Sequence, residues 1–153
     1  MSDLVLIFDG LNEPVNPGGY GCWGFILYVG TKQSFAGHGC LGNPKWMTNN
    51  FAEYCALGFG LKKIIELDLQ IKTLTILGDS QLVINQMNGD WAMKSELLAP
   101  LHAKCVEYIG AIIKKTGVKP CIRWIPRNLN EPADEMSRQG YREATGKEVP
   151  DRK

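Results

Sequence analysis

Apolar positions along the chain change period several times, and each change marks a new element. Leu4-Val5-Leu6-Ile7-Phe8, closed by Asp9, predicts a first strand over Leu4–Asp9. Strands are expected at Tyr20–Val29 and Lys32–Leu41, with Gly30-Thr31 as the tight hairpin turn between them. Phe51, Tyr54, Cys55, Leu57, Leu61, Ile64 and Ile65 then recur at helical spacing through Asn49–Leu67. Thr73–Leu77 is rich in β-branched residues and reads as a strand. Ser80–Met87 reads as a short helix stopped by Asn88-Gly89. Beyond a connector through Trp91, whose bulk suits it to the core, a long helix is expected over Glu96–Thr116. It carries Leu97, Leu98, Leu101, Cys105, Val106, Ile109, Ile112 and Ile113. A last strand at Pro120–Ile125 and a last helix at Glu131–Gln139 complete the pattern, and the charged tail after Tyr141 is expected to fray.

Hairpin-linked strands followed by alternating strands and helices indicate an α/β fold: a mixed sheet, antiparallel and then parallel, flanked by helices. No repeat, low-complexity tract or linker divides the chain. One domain over residues 1–142, followed by a charged tail at 143–153, is the expected organisation. In such sheets ligands bind beyond the carboxyl ends of parallel strands, where Asp9 and Asp79 are expected.

Composition adds mainly exclusions. The 153 residues suit one domain with a real core. A net charge of +1 means that any phosphate-binding surface is a local patch. No signal peptide is visible, and no apolar stretch approaches the roughly 20 residues a membrane span requires. The five scattered cysteines read as reduced thiols and suggest no zinc site. A cytoplasmic monomer without membrane contact is the expectation.

Four acids carry the candidate chemistry: Asp9 and Asp79 at strand ends, and Glu53 and Asp134 near helix starts. Each alone could be a surface or capping residue. Together they could form one cluster, whose mutual repulsion a hard divalent cation would relieve. Two such ions about 4 Å apart can clamp the attacking and leaving oxygens of a phosphoryl displacement.

The surrounding motifs narrow the reading. Asp9-Gly10, Asn16-Pro17-Gly18-Gly19-Tyr20-Gly21, Thr48-Asn49-Asn50-x-Ala52-Glu53, Gly78-Asp79-Ser80-Gln81 and Trp124-x-Pro126-Arg127-x-x-Asn130-x-x-Ala133-Asp134 occur in this order. Over about residues 4–140 the chain resembles ribonuclease H type 1, particularly its retroelement- and archaeal-like branch. The resemblance implies a ribonuclease H-like fold with a five-stranded mixed sheet. It also implies cleavage of the RNA strand of RNA/DNA hybrids, leaving 5′-phosphate and 3′-hydroxyl ends. Asp9, Glu53, Asp79 and Asp134 would be the catalytic metal ligands for two Mg²⁺ ions, with Mn²⁺ as a substitute. Asn16, Asn49, Asn50 and Gln81 match positions that touch the hybrid's minor groove, and Thr48 matches one that grips a DNA phosphate. Turn and cap roles remain open for Asn16, Thr48 and Asn49.

The chain departs from the family in places. The loop before Asp134 has no histidine, leaving Arg127 or Glu131 as substitutes; His38 and His102 read as surface residues. The region after the second helix, Gly89–Lys94, is not strongly basic. A catalytically silent hybrid-binding module, or another nuclease of the same superfold, is the competing reading.

Overall fold

A computed structural model describes residues 1–150; residues 151–153 of the expected tail lie outside the described residues. The strands are β1 (Ser2–Glu13), β2 (Tyr20–Val29), β3 (Lys32–Cys40), β4 (Ile71–Gly78) and β5 (Cys121–Trp124). The helices are α1 (Asn49–Leu67), α2 (Gln81–Met87), α3 (Ala99–Thr116) and α4 (Glu131–Thr145). One sheet has the order β3-β2-β1-β4-β5. Its first three strands pair antiparallel, and β1–β4 and β4–β5 pair parallel. This is the expected five-stranded mixed sheet with helices on its faces.

The unbroken apolar run of β1 has a direct cause. Leu4, Leu6 and Phe8 face the main core beneath α1 and α3. Val5 and Ile7 face the opposite side, where they meet Ala133 and Met136 of α4. Both faces are covered, so alternation disappears, as in central strands generally. β1 runs beyond the expected end at Asp9, pairing with β2 as far as Glu13. Its parallel ladder with β4, however, ends at Phe8 opposite Gly78. The apolar run therefore marks the end of that ladder, and Asp9 is the first residue past it.

Three other features differ from expectation. The long helix starts at Ala99, after a turn in which the Ser95 hydroxyl accepts from Leu98 N at 3.1 Å. Trp91 is 47% exposed and not in the core. α4 continues past Gln139 to Thr145, and residues 146–150 beyond it are anchored instead of frayed. Arg142 binds Glu135 at 2.6 Å and Glu148 at 2.8 Å, and Val149 packs with Leu11, Cys22 and Tyr141. All five cysteines are free thiols. Among the described residues no helix is long and apolar enough to cross a membrane.

Candidate active site

Gly10 governs how closely α1 approaches β1. A methyl group there would come within 2.5 Å of the Ala52 carbonyl carbon, and closer still to Glu53 N. Because Gly10 has no side chain, the first turns of α1 lie directly on the strand, and Glu53 meets Asp9. Thr48 fixes the start of that helix, its hydroxyl accepting from Phe51 N at 3.1 Å, an N-cap. Asp79 follows the last residue of β4 at the same end of the sheet.

One carboxylate oxygen from each of Asp9, Glu53 and Asp79 lies within 4.8 Å of the other two. Asp9 and Glu53 are buried, at 5% and 2% exposure. Burial, followed by the neighbouring acids, pushes both carboxyls well above their ordinary range. Asp79 is also raised, first by burial, against opposing pulls from the Asn130 amide and the Arg127 charge. Glu53 Oε2 is buried with no hydrogen-bond partner. An orphaned buried acceptor is costly, and the three acids form an all-oxygen donor set. Both features fit a hard divalent cation.

Asp134 adjoins this triad without belonging to it. It lies in the first turn of α4, close enough to Asp9 to raise its pKa. Its carboxylate, however, accepts from Arg138 Nε at 3.0 Å and lies 3.9 Å from Arg127. The four expected acids are thus three convergent carboxylates and a fourth at their rim.

Several positioning residues were not legible as such in the sequence. Asn130 is fully buried at the start of α4, but its side chain makes no cap bond. Its amide turns inward, donating to Phe8 O at 2.9 Å and to Asp79 Oδ2 at 3.2 Å. The Trp124 indole donates to Asp79 O at 3.0 Å. One segment therefore holds both the backbone and the carboxylate of Asp79. Ser137 Oγ donates to Asp134 O at 2.7 Å and lies 3.5 Å from Asp9 Oδ2. Asn130→Ala is expected to weaken Mn²⁺ binding roughly 10–100-fold, the usual cost of losing a group that orients a metal ligand. Calorimetric titration checks this, and unchanged affinity would remove the positioning role.

A cavity of about 200 Å³ opens over the acids, lined by Asp9, Gly10, Asn49, Glu53, Asp79 and Arg127. Of the five expected substrate contacts, only Asn49 lines it. Asn16 is exposed; its side-chain oxygen accepts from Asn49 N at 3.1 Å and from Asn12 at 3.0 Å. Buried Asn12 also donates to Met47 O at 2.8 Å, tying the first loop to the start of α1. Asn50 is half-buried in the first turn of α1, and Gln81 is exposed at the start of α2. Neither histidine joins the site. His38 is paired with Glu143 of α4 at 3.0 Å, and His102, half-buried, lies 3.3 Å from Gln86 O.

The fold has counterparts among known proteins. Residues 34–140, most of the chain, match the reverse transcriptase-like family. The chain is 28% identical over 138 residues to the uncharacterized protein YpeP of Bacillus subtilis, covering 90% of this chain and 58% of that one. The solved N-terminal RNase H domain of Rv2228c from Mycobacterium tuberculosis superposes with a TM-score of 0.79 at 26% identity, covering 95% and 98% of the two chains. The chain spans only 23% of the bifunctional protein Rv2228c as a whole. LC11-RNase H1, solved in complex with an RNA/DNA hybrid, shares the fold with a TM-score of 0.81 at 23% identity, over 93% and 99% of the chains. This chain belongs to the reverse transcriptase-like family, and its fold is similar to that of solved RNase H1 structures.

Proposed function

We propose that the chain is an endonuclease that hydrolyses the RNA strand of RNA/DNA hybrids, leaving 5′-phosphate and 3′-hydroxyl ends. The convergence of Asp9, Glu53 and Asp79, with an unpartnered carboxylate oxygen on Glu53, carries the reading. The hybrid held by LC11-RNase H1 supports the choice of substrate. Asp9, Glu53, Asp79 and Asp134 would hold two Mg²⁺ ions, or Mn²⁺ in their place. When bound, such a pair stabilises both the attacking and the leaving oxygen of the displacement.

The remaining work falls to the chain's own side chains. Cutting RNA and sparing DNA requires a 2′-hydroxyl sensor, and the minor groove of the hybrid displays that group. Neutral amides can both donate to it and accept from it. Asn49, which lines the cavity, would serve this role, with Asn16, Asn50 and Gln81 as further contacts to the groove. The hydroxyl of Thr48, which caps α1, would also grip a phosphate of the DNA strand. Arg127 takes the place of the absent loop histidine as a positive group at the mouth. It offsets the acids and can hold the scissile phosphate. Trp91, exposed on the connector, offers a ring for stacking where a basic protrusion is lacking.

A labelled hybrid, duplex DNA and each single strand should be incubated with Mg²⁺, with and without chelator. Cleavage confined to the RNA of the hybrid, and abolished by chelation, is expected. Binding without cleavage would favour the silent module, and cutting of duplex DNA another nuclease of the superfold.

A further inference from the structure

On the face of the sheet covered by α4, Cys22 of β2 lies directly opposite Cys40 of β3. The ladder bond beside them, from Leu41 N to Gly21 O at 2.7 Å, joins the neighbouring residues. The cysteines therefore occupy a non-hydrogen-bonded position, where opposed Cα atoms approach to about 4.5 Å. Disulfides span Cα separations of roughly 4.4–6.8 Å, a range that includes this kind of cross-strand position. The two thiols differ in access: Cys22 is fully buried and Cys40 half-buried. Gly42 N donates to the Cys40 sulfur at 3.4 Å.

We propose that Cys22 and Cys40 are a redox pair that closes a cross-strand disulfide on exposure to a peroxide. The accessible Cys40 sulfur attacks hydrogen peroxide, the O–O bond breaks, and Cys40 becomes a sulfenic acid with release of one water. The Cys22 sulfur then displaces the hydroxyl group, which leaves with the Cys22 proton as a second water while the S–S bond forms. Two thiols lose two electrons in total, and the peroxide gains them. Among the described residues β3 is an edge strand, paired only with β2, so the bond staples the margin of the sheet. Neither thiol lines the acidic cavity, and the inference is independent of the nuclease reading.

The test uses the whole chain in dilute hydrogen peroxide, followed by unfolding, alkylation of remaining thiols and trypsin digestion without reductant. Cys22 falls in peptide 1–32 and Cys40 in peptide 33–45. The expected product is these two peptides joined, two hydrogens lighter than their sum and separated by dithiothreitol. Oxidation should raise the melting temperature by about 5–10 °C through closure of the intervening loop. Cys40→Ser should show neither the linked peptide nor the rise. Recovery of peptide 1–32 with Cys22 alkylated, while Cys40 is free or carried on to sulfinic acid, would overturn the proposal.

Discussion

Asp9→Asn is expected to lower hybrid cleavage by about 10³-fold or more, while raising the melting temperature of the metal-free protein. The loss follows from removing a charged oxygen at the centre of the cluster, where a ligand supplies several kcal/mol of transition-state stabilisation. The gain in stability follows from the same charge. Burial first, and then the charge of Asp79, raise the Asp9 carboxyl well above its ordinary value of 3.8. Below 3.8 the group is protonated in both folded and unfolded chains and costs nothing. As pH rises, the unfolded chain releases its proton before the folded one, so stability falls. Glu53 and Asp79 are raised in the same sense and add to the slope. With chelator present, the wild type should therefore melt higher at pH 5 than at pH 8, and Mg²⁺ should restore part of the difference. The neutral amide of the variant removes the Asp9 part of this cost and keeps the shape of the side chain. Melting curves against pH, with chelator or with Mg²⁺, check the argument. A variant that melts lower at pH 8 without metal, or still gains stability from Mg²⁺ like the wild type, would contradict it.

The parts of this fold that are legible in the sequence are those where one physical effect dominates locally. β1 announces itself because burial on both faces demands an apolar residue at every position from Leu4 to Phe8. α1 is legible because Tyr54, Leu57, Leu61 and Ile64 form one buried stripe behind the Thr48 cap. Where distant contacts decide, the local signal fails. Beyond Asp9, β1 continues because β2 pairs with it, although its apolar run has stopped. Trp91 has the bulk of a core residue but lies 47% exposed on its connector. The tail after α4 looks like charged, fraying chain, but those charges lock Arg142 between Glu135 and Glu148. In the site, the acids stand out because carboxylates beside apolar runs are conspicuous. Asn130 and Asn12 do not, because an asparagine near a helix start or in a first loop reads as a cap or turn residue. Only the fold brings Asn130 under the Phe8 carbonyl and beside Asp79. Asp134 shows the same limit from the other side: its motif groups it with the other acids, and Arg138, one turn along α4, holds its carboxylate at the rim.

Gly10→Ala should cost about 2–3 kcal/mol of stability and, in the chain that remains folded, most of the cleavage activity. The added methyl would press on backbone, not on the end of a flexible side chain, since its nearest neighbours are the Ala52 carbonyl and Glu53 N. Backbone atoms cannot rotate away, so either β1 bends or the start of α1 lifts from the sheet, an overpacking cost of roughly this size. Lifting α1 carries Glu53 away from Asp9, because Glu53 lies in the second turn of the helix and reaches the cluster only through this close approach. The Asn16 contact to Asn49 N, 3.1 Å long, should be strained by the same movement. The damage to the site is therefore predicted to exceed the damage to the fold. Denaturant titration measures the stability term, and Mn²⁺ titration of the folded variant measures the site. The expected result is a cooperative but weakened transition, with cation affinity reduced by at least about tenfold, the scale seen when support of a metal ligand is lost. A variant with wild-type cation affinity would show that α1 can yield without moving Glu53, and that the close packing at Gly10 serves the fold alone.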